Sequence, residues 1–84
     1  MNAFEPWRVA RAFGAVLRAA RTDAGITQEQ LAEFAHMDRT YPSLIERGLR
    51  QPTIGRVIAV ADALRIEPGT LVTMTVARLR GDEP

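Results

Sequence analysis

Between Gly25 and Gly48 the chain has room for two short helices and almost nothing to join them, and this constrains the fold more than any other feature. Thr27-Gln28-Glu29-Gln30 has the form of a capping box: the Thr27 hydroxyl accepts from the Gln30 N–H, and the Gln30 side chain accepts in return from the Thr27 N–H. Ile26 before the cap and Leu31 after it form a hydrophobic staple. The pattern predicts a helix over 27–35, a tight connection at His36-Met37-Asp38, and a second helix over 39–47 capped by Asp38 and closed by Gly48. Pro42 falls at the fourth position of that second helix, where it forfeits one early hydrogen bond. A connection of about three residues cannot lay two helices antiparallel, so they cross steeply. Leu31, Ala32, Ala35 and Ile45 then share one core, while Arg39, Thr40, Ser43, Leu44 and Arg47 lie on the opposite side of the second helix.

Three more helices frame this pair. Pro6 suits a first helical position, Val9, Phe13, Val16, Leu17 and Ala20 follow at helical spacing, and Gly25 supplies a left-handed stop. Pro52-Thr53 opens a fourth helix with the stripe Ile54, Val57, Ile58, Ala61 and Leu64. Glu67-Pro68 opens a fifth, running to about residue 79, and residues 80–84 read as a tail. On that fifth helix Leu71 and Met74 point one way, while Val72, Val76 and Leu79 lie about a third of a turn round. One stripe can face the core and the other a partner chain. The expectation is an all-α chain, one domain over 1–84, folded as a compact five-helix bundle.

Composition narrows the chemistry. With 84 residues the core is small, and dimerisation would help it. The absence of cysteine removes disulfides, thiolate catalysis and cysteine-held zinc, and His36 has no second imidazole to share a metal. No cofactor is expected. No apolar run approaches a membrane span and no leader pattern is present, so the expected location is the cytoplasm. No nucleophile–base pair, carboxylate cluster or glycine-rich phosphate loop points to an enzyme. The net charge of +1 says little, but all 11 basic residues are arginine. GC-rich codon usage explains that as readily as phosphate or guanine recognition does. The stretch from Arg39 to Arg56, which also holds Arg47 and Arg50 against the single acid Glu46, is locally basic.

The run from Gly25 to Ala32, the run from Asp38 to Gly48, and Pro52-Thr53 together resemble the Cro/phage-repressor (XRE-like) helix-turn-helix family, over roughly residues 13–72. Asp38-Arg39-Thr40-Tyr41 and the short length also resemble the controller proteins of restriction–modification systems. The resemblance implies a lambda-repressor-like fold and a helix-turn-helix over about 27–47. It implies base-reading by Arg39, Thr40 and Leu44, with Arg39 suited to guanine O6 and N7 and Leu44 to a thymine methyl. It also implies DNA-backbone contacts from Gln28, Tyr41, Ser43, Arg47 and Arg50. Glu46 would turn inward and pair with Arg21, and His36 stands where the family has a left-handed glycine, as Arg65 does after the fourth helix. Phe4 and Trp7, before the motif, would anchor the N-terminal segment to the core, with an interface role as the alternative.

The implied function is a transcriptional regulator, acting as a homodimer on a palindromic double-stranded DNA operator, through Val72, Val76 and Leu79 at the dimer interface. RNA polymerase is a further candidate contact, and no membrane or small-molecule partner is expected. The competing reading is a protein-interaction module, such as an antitoxin that binds DNA secondarily.

Overall fold

Pro6 has no amide hydrogen to leave unsatisfied and begins α1 (Pro6–Asp23), which ends at Ala24 before Gly25 turns left-handed at φ +73°. The computed structural model describes residues 2–81; the tail expected over 80–84 lies outside them from Asp82 onward. Four helices follow: α2 (Gln28–Phe34), α3 (Tyr41–Glu46), α4 (Ile54–Leu64) and α5 (Pro68–Leu79). The long α1 packs along α5 and across α3; α2 contacts α3 and α4, and α4 closes against α5. Leu17, Leu31, Ile45, Val60 and Leu71, one from each helix, are fully buried and meet in a single core. Among the described residues no helix is long and apolar enough to cross a membrane.

Three expectations need correction. The regular part of α3 starts at Tyr41, two residues later than the pattern over 39–47 predicts, and stops at Glu46. Pro42 cannot donate to the Asp38 carbonyl, which takes the Tyr41 N–H at 3.0 Å instead, so residues 39 and 40 form a turn. Pro42 thus falls in the first helical turn and sacrifices nothing. Second, Ile54 and Ile58 are exposed (78% and 51%), and the buried face of α4 is Val60, Ala61 and Leu64 with Val57 half-buried. The apolar pattern fits two overlapping stripes, and the later one packs. Third, on α5 it is Thr75 and not Met74 that follows Leu71 into the core; its hydroxyl donates to the Leu71 carbonyl at 2.8 Å and so needs no water.

Among the described residues His36 and Arg65 are the two non-glycine residues with positive φ, at +55° and +58°. Each terminates a helix where a Cβ is unfavourable by about 1–2 kcal/mol. Arg65 is exposed, so Arg65→Gly should stabilise the domain by about 1 kcal/mol and raise Tm by about 4–8 °C in a thermal melt. A lowered Tm would mean that the arginine side chain contributes more than its backbone strain removes.

Candidate nucleic-acid interface

The interface is built on the turn that joins α2 to α3. The capping box forms as the sequence requires: Gln30 N–H to Thr27 Oγ1 at 3.0 Å, and Thr27 N–H to Gln30 Oε1 at 2.9 Å. It fixes the first turn of α2 and so the position of Gln28. Met37 N–H reaches back to the Ala32 carbonyl at 3.0 Å, closing α2 while His36 turns left-handed. Asp38 is not the helix cap, which falls to Thr40 without a side-chain bond. Instead one Asp38 oxygen accepts both the Thr40 N–H (2.9 Å) and the Thr40 hydroxyl (2.6 Å). This ties Arg39 and Thr40 into one turn conformation.

Those bonds, the Thr40 hydroxyl first, hold the Asp38 carboxyl below the usual carboxylate range. A carboxylate with a depressed pKa favours the native turn at neutral pH, and its contribution is lost as pH falls through the depressed value. Asp38 should therefore titrate below an ordinary aspartate when followed by carboxyl carbon NMR, and Thr40→Ala should move its midpoint upward. An unchanged midpoint in that variant would show that the hydroxyl bond does not hold the turn.

Behind this surface lies a charged network. Arg21 grips Glu46 through Nε to Oε2 (2.7 Å) and Nη2 to Oε1 (3.1 Å), and its Nη1 donates to the Ile26 carbonyl at 2.9 Å. Gln28 Nε2 donates to Glu46 Oε1 at 3.0 Å. The Glu46 side chain is only 2% exposed and that of Arg21 15%. The Glu46 hydrogen bond and charge raise the Arg21 pKa despite burial, so the guanidinium stays charged. Three helices, α1, α2 and α3, are thereby joined at one carboxylate.

The remaining candidate residues divide by exposure. The Arg39 side chain is 80% exposed and lies 4.0 Å from the Glu29 carboxylate, itself 76% exposed. Arg47 and Arg50 are exposed, and Ser43 and Leu44 half-buried, on or just beyond the outer face of α3. Tyr41 leans on the core, and Arg56 stacks over its ring at 4.9 Å from the centroid. That stacking arginine was not singled out by the sequence pattern; its place in the first turn of α4, the wrong end for a cation, is the signal that was there to read. Val72 is exposed, and Val76 and Leu79 half-buried. With Phe4, Val9 and Phe13 these three line an apolar groove of about 270 Å³ on the α1–α5 side, apart from the residues of the α2–α3 turn. Among the described residues no group of three or more histidines and carboxylates could hold a metal.

Comparison with known proteins gives this geometry a context. A helix-turn-helix domain family matches residues 12–73. Control protein C.BamHI of Bacillus amyloliquefaciens is 34% identical over 64 residues, 75% of this chain and 79% of that protein. An HTH-type transcriptional regulator of Mycobacterium tuberculosis is 36% identical over 58 residues, 69% of this chain, but the match spans only 41% of that longer protein. Among solved structures, the restriction–modification controller protein C.AhdI of Aeromonas hydrophila superposes with a TM-score of 0.75 at 38% identity, covering 77% of this chain and 94% of that one. The controller protein C.Esp1396I, crystallised as a tetramer on its natural 35-base-pair operator, gives 0.77 at 30% identity, covering 84% and 93%.

Proposed function

This chain belongs to the helix-turn-helix domain family, and from that premise we propose that it is a transcriptional regulator that binds a palindromic operator as a homodimer, with one α3 per subunit in the major groove. The observation that carries the reading is the division of α3 into two faces. Pro42, Ile45 and the Glu46 side chain are sealed inward, while Arg39, Thr40, Ser43, Leu44 and Arg47 are left on the other side, with Arg39 almost wholly open. A screened contact with Glu29 at 4.0 Å is worth little, and a guanine edge can replace it at small cost.

The hydrogen bonds refine the roles. The Thr40 hydroxyl proton is committed to Asp38, so Thr40 meets DNA as an acceptor for a cytosine or adenine amino group, or through its methyl on thymine. Leu44 offers apolar contact to a thymine methyl. One N–H of Gln28 is held by Glu46 and the other is left for a phosphate oxygen, with Tyr41, Ser43, Arg47 and Arg50 as the further backbone contacts. Val72, Val76 and Leu79 form the dimer face, since one recognition helix spans too few base pairs to define a site. The dimer acts by occluding a promoter or by touching RNA polymerase.

Fluorescence anisotropy against the gene's own upstream DNA, a scrambled duplex of equal length and two salt concentrations tests this. The upstream duplex should win by about 10³-fold or more. Arg39→Ala should remove about 1–3 kcal/mol of that preference, roughly 5- to 150-fold, while leaving the salt dependence nearly unchanged. Equal binding of both duplexes, unaffected by Arg39→Ala, would contradict the assignment of Arg39 to base-reading.

A further inference from the structure

Beyond the recognition face, three elements meet around an open cleft of about 540 Å³ that carries four arginines: Arg8 and Arg11 from α1, Arg47 at the end of α3, and Arg78 from the last turn of α5. Trp7 stands at the rim, with the Arg8 guanidinium 4.9 Å from its ring centroid. Among the described residues Glu46 is the one acid on the wall, and its carboxylate is engaged by Arg21 and Gln28 and 2% exposed. Among the described residues no carboxylate pairs with Arg11, Arg47 or Arg78.

Helix ends account for part of this arrangement. Arg47 and Arg78 sit at helix C-termini, where a cation is favoured. Arg8 lies in the first turn of α1, the unfavourable end, and Arg11 follows it one turn later. Arg11 is also held in place: Gly48, at φ +73°, lies so near that a Cβ there would come within 2.7 Å of Arg11 Cγ. The turn after α3 therefore rests on the Arg11 stem and brings Arg11 beside Arg47. Arg11, Arg47 and Arg78, gathered in one concave site, repel one another unless an anion enters.

We propose that this cleft is a phosphate-binding site for a polyphosphate or phosphodiester chain, distinct from the base-reading face. Planar guanidinium forks take phosphate oxygens in pairs, and guanidiniums from three elements can follow successive phosphates where a single ion would satisfy only one or two. Two sources supply that chemistry: the backbone of duplex DNA continuing past Arg47, or a free polyphosphate. The inference stands on the cleft and does not require the operator reading to hold.

Trp7 is the only tryptophan and lies at the rim, so its fluorescence reports on the site. The full chain is titrated with pyrophosphate at low ionic strength, against sodium chloride of matched ionic strength, for wild type and the double variant Arg11→Gln/Arg78→Gln. Both positions are exposed, so the variant keeps its core. A saturable change with pyrophosphate alone, weakened about tenfold or more in the variant, is expected. No saturable response in the wild type, or an equal affinity in the variant, overturns the proposal. A random-sequence duplex then separates the sources. If it displaces pyrophosphate, and the variant's log–log salt slope for the duplex falls by about 1.8, the ligand is DNA backbone. If the duplex binds equally with the cleft occupied, the site stands and its ligand is a free polyphosphate.

Discussion

Gly14→Ala should destabilise the domain by about 2–4 kcal/mol, although the same change in an open helix would stabilise it by about 1 kcal/mol. Gly14 lies mid-way along α1 with the end of α3 directly upon it. A Cβ there would sit 2.3 Å from the Ile45 carbonyl oxygen and 2.8 Å from that of Glu46. Both are backbone atoms, so no rotamer change relieves the overlap and α3 itself must move. Moving it unpacks Ile45, which is fully buried, and draws Glu46 away from Arg21. The steric effect wins over helix propensity because the displaced element carries both the core and the ion pair. Gly69→Ala is the control: it lies in the first turn of α5 with nothing within 4 Å of the added carbon, and should be neutral or slightly stabilising. Urea unfolding of both variants checks the pair of signs. Similar midpoints would mean that α3 yields without penalty.

The second large effect is at Glu46. Glu46→Gln removes the buried charge opposite Arg21 and turns an acceptor into a donor facing guanidinium or amide hydrogens. Breaking a buried pair on one side costs about 3–5 kcal/mol, because the surviving charge then faces only neutral acceptors, the Ile26 carbonyl and the one oxygen left at position 46. Against a typical domain stability of about 5–15 kcal/mol, that is a large fraction. Replacing both partners, as in Arg21→Met/Glu46→Leu, should cost much less than Glu46→Gln, since neither charge is then stranded. The pH dependence has a definite sign. The Arg21 pKa is raised, so the stability gained through its charge is complete below the ordinary arginine value and is lost only as pH rises through the raised one. Its contribution is therefore flat across the neutral range. Urea midpoints of the single and double variants decide between a structural pair and an incidental contact: a double variant as unstable as Glu46→Gln would mean that packing, not charge, holds this junction.

What the residues by themselves announce is local; the long-range Arg21–Glu46 pair enters only through the family resemblance. Thr27 and Gln30 announce a capping box because both partners lie within one turn. Gly25 and Gly48, each at φ +73°, mark helix stops in the left-handed conformation that favours glycine. The start of α3 was misread because the proline's missing hydrogen shifts the turn by two residues, an effect of one atom that propensity overlooks. The stripe of α4 was misphased because Ile54, Val57, Ile58 and Ala61 fit a helical face as well as Val57, Val60, Ala61 and Leu64 do. Only the packing of α5 and α2 against α4 distinguishes the two faces. Two long-range features stayed hidden for the same reason: neither the approach of Gly14 to α3 nor the gathering of Arg8, Arg11, Arg47 and Arg78 has a local signature.

The most direct test of the central claim is selection from a pool of random duplexes by the purified protein, followed by sequencing of the bound fraction. A two-fold symmetric consensus is expected. Its half-site centres should lie about 10–10.5 base pairs, or a multiple of that, apart, and Arg39→Ala should lose preference at one base position in each half. A bound fraction without any consensus, or one unchanged by Arg39→Ala, would contradict the placement of α3 as the base-reading helix.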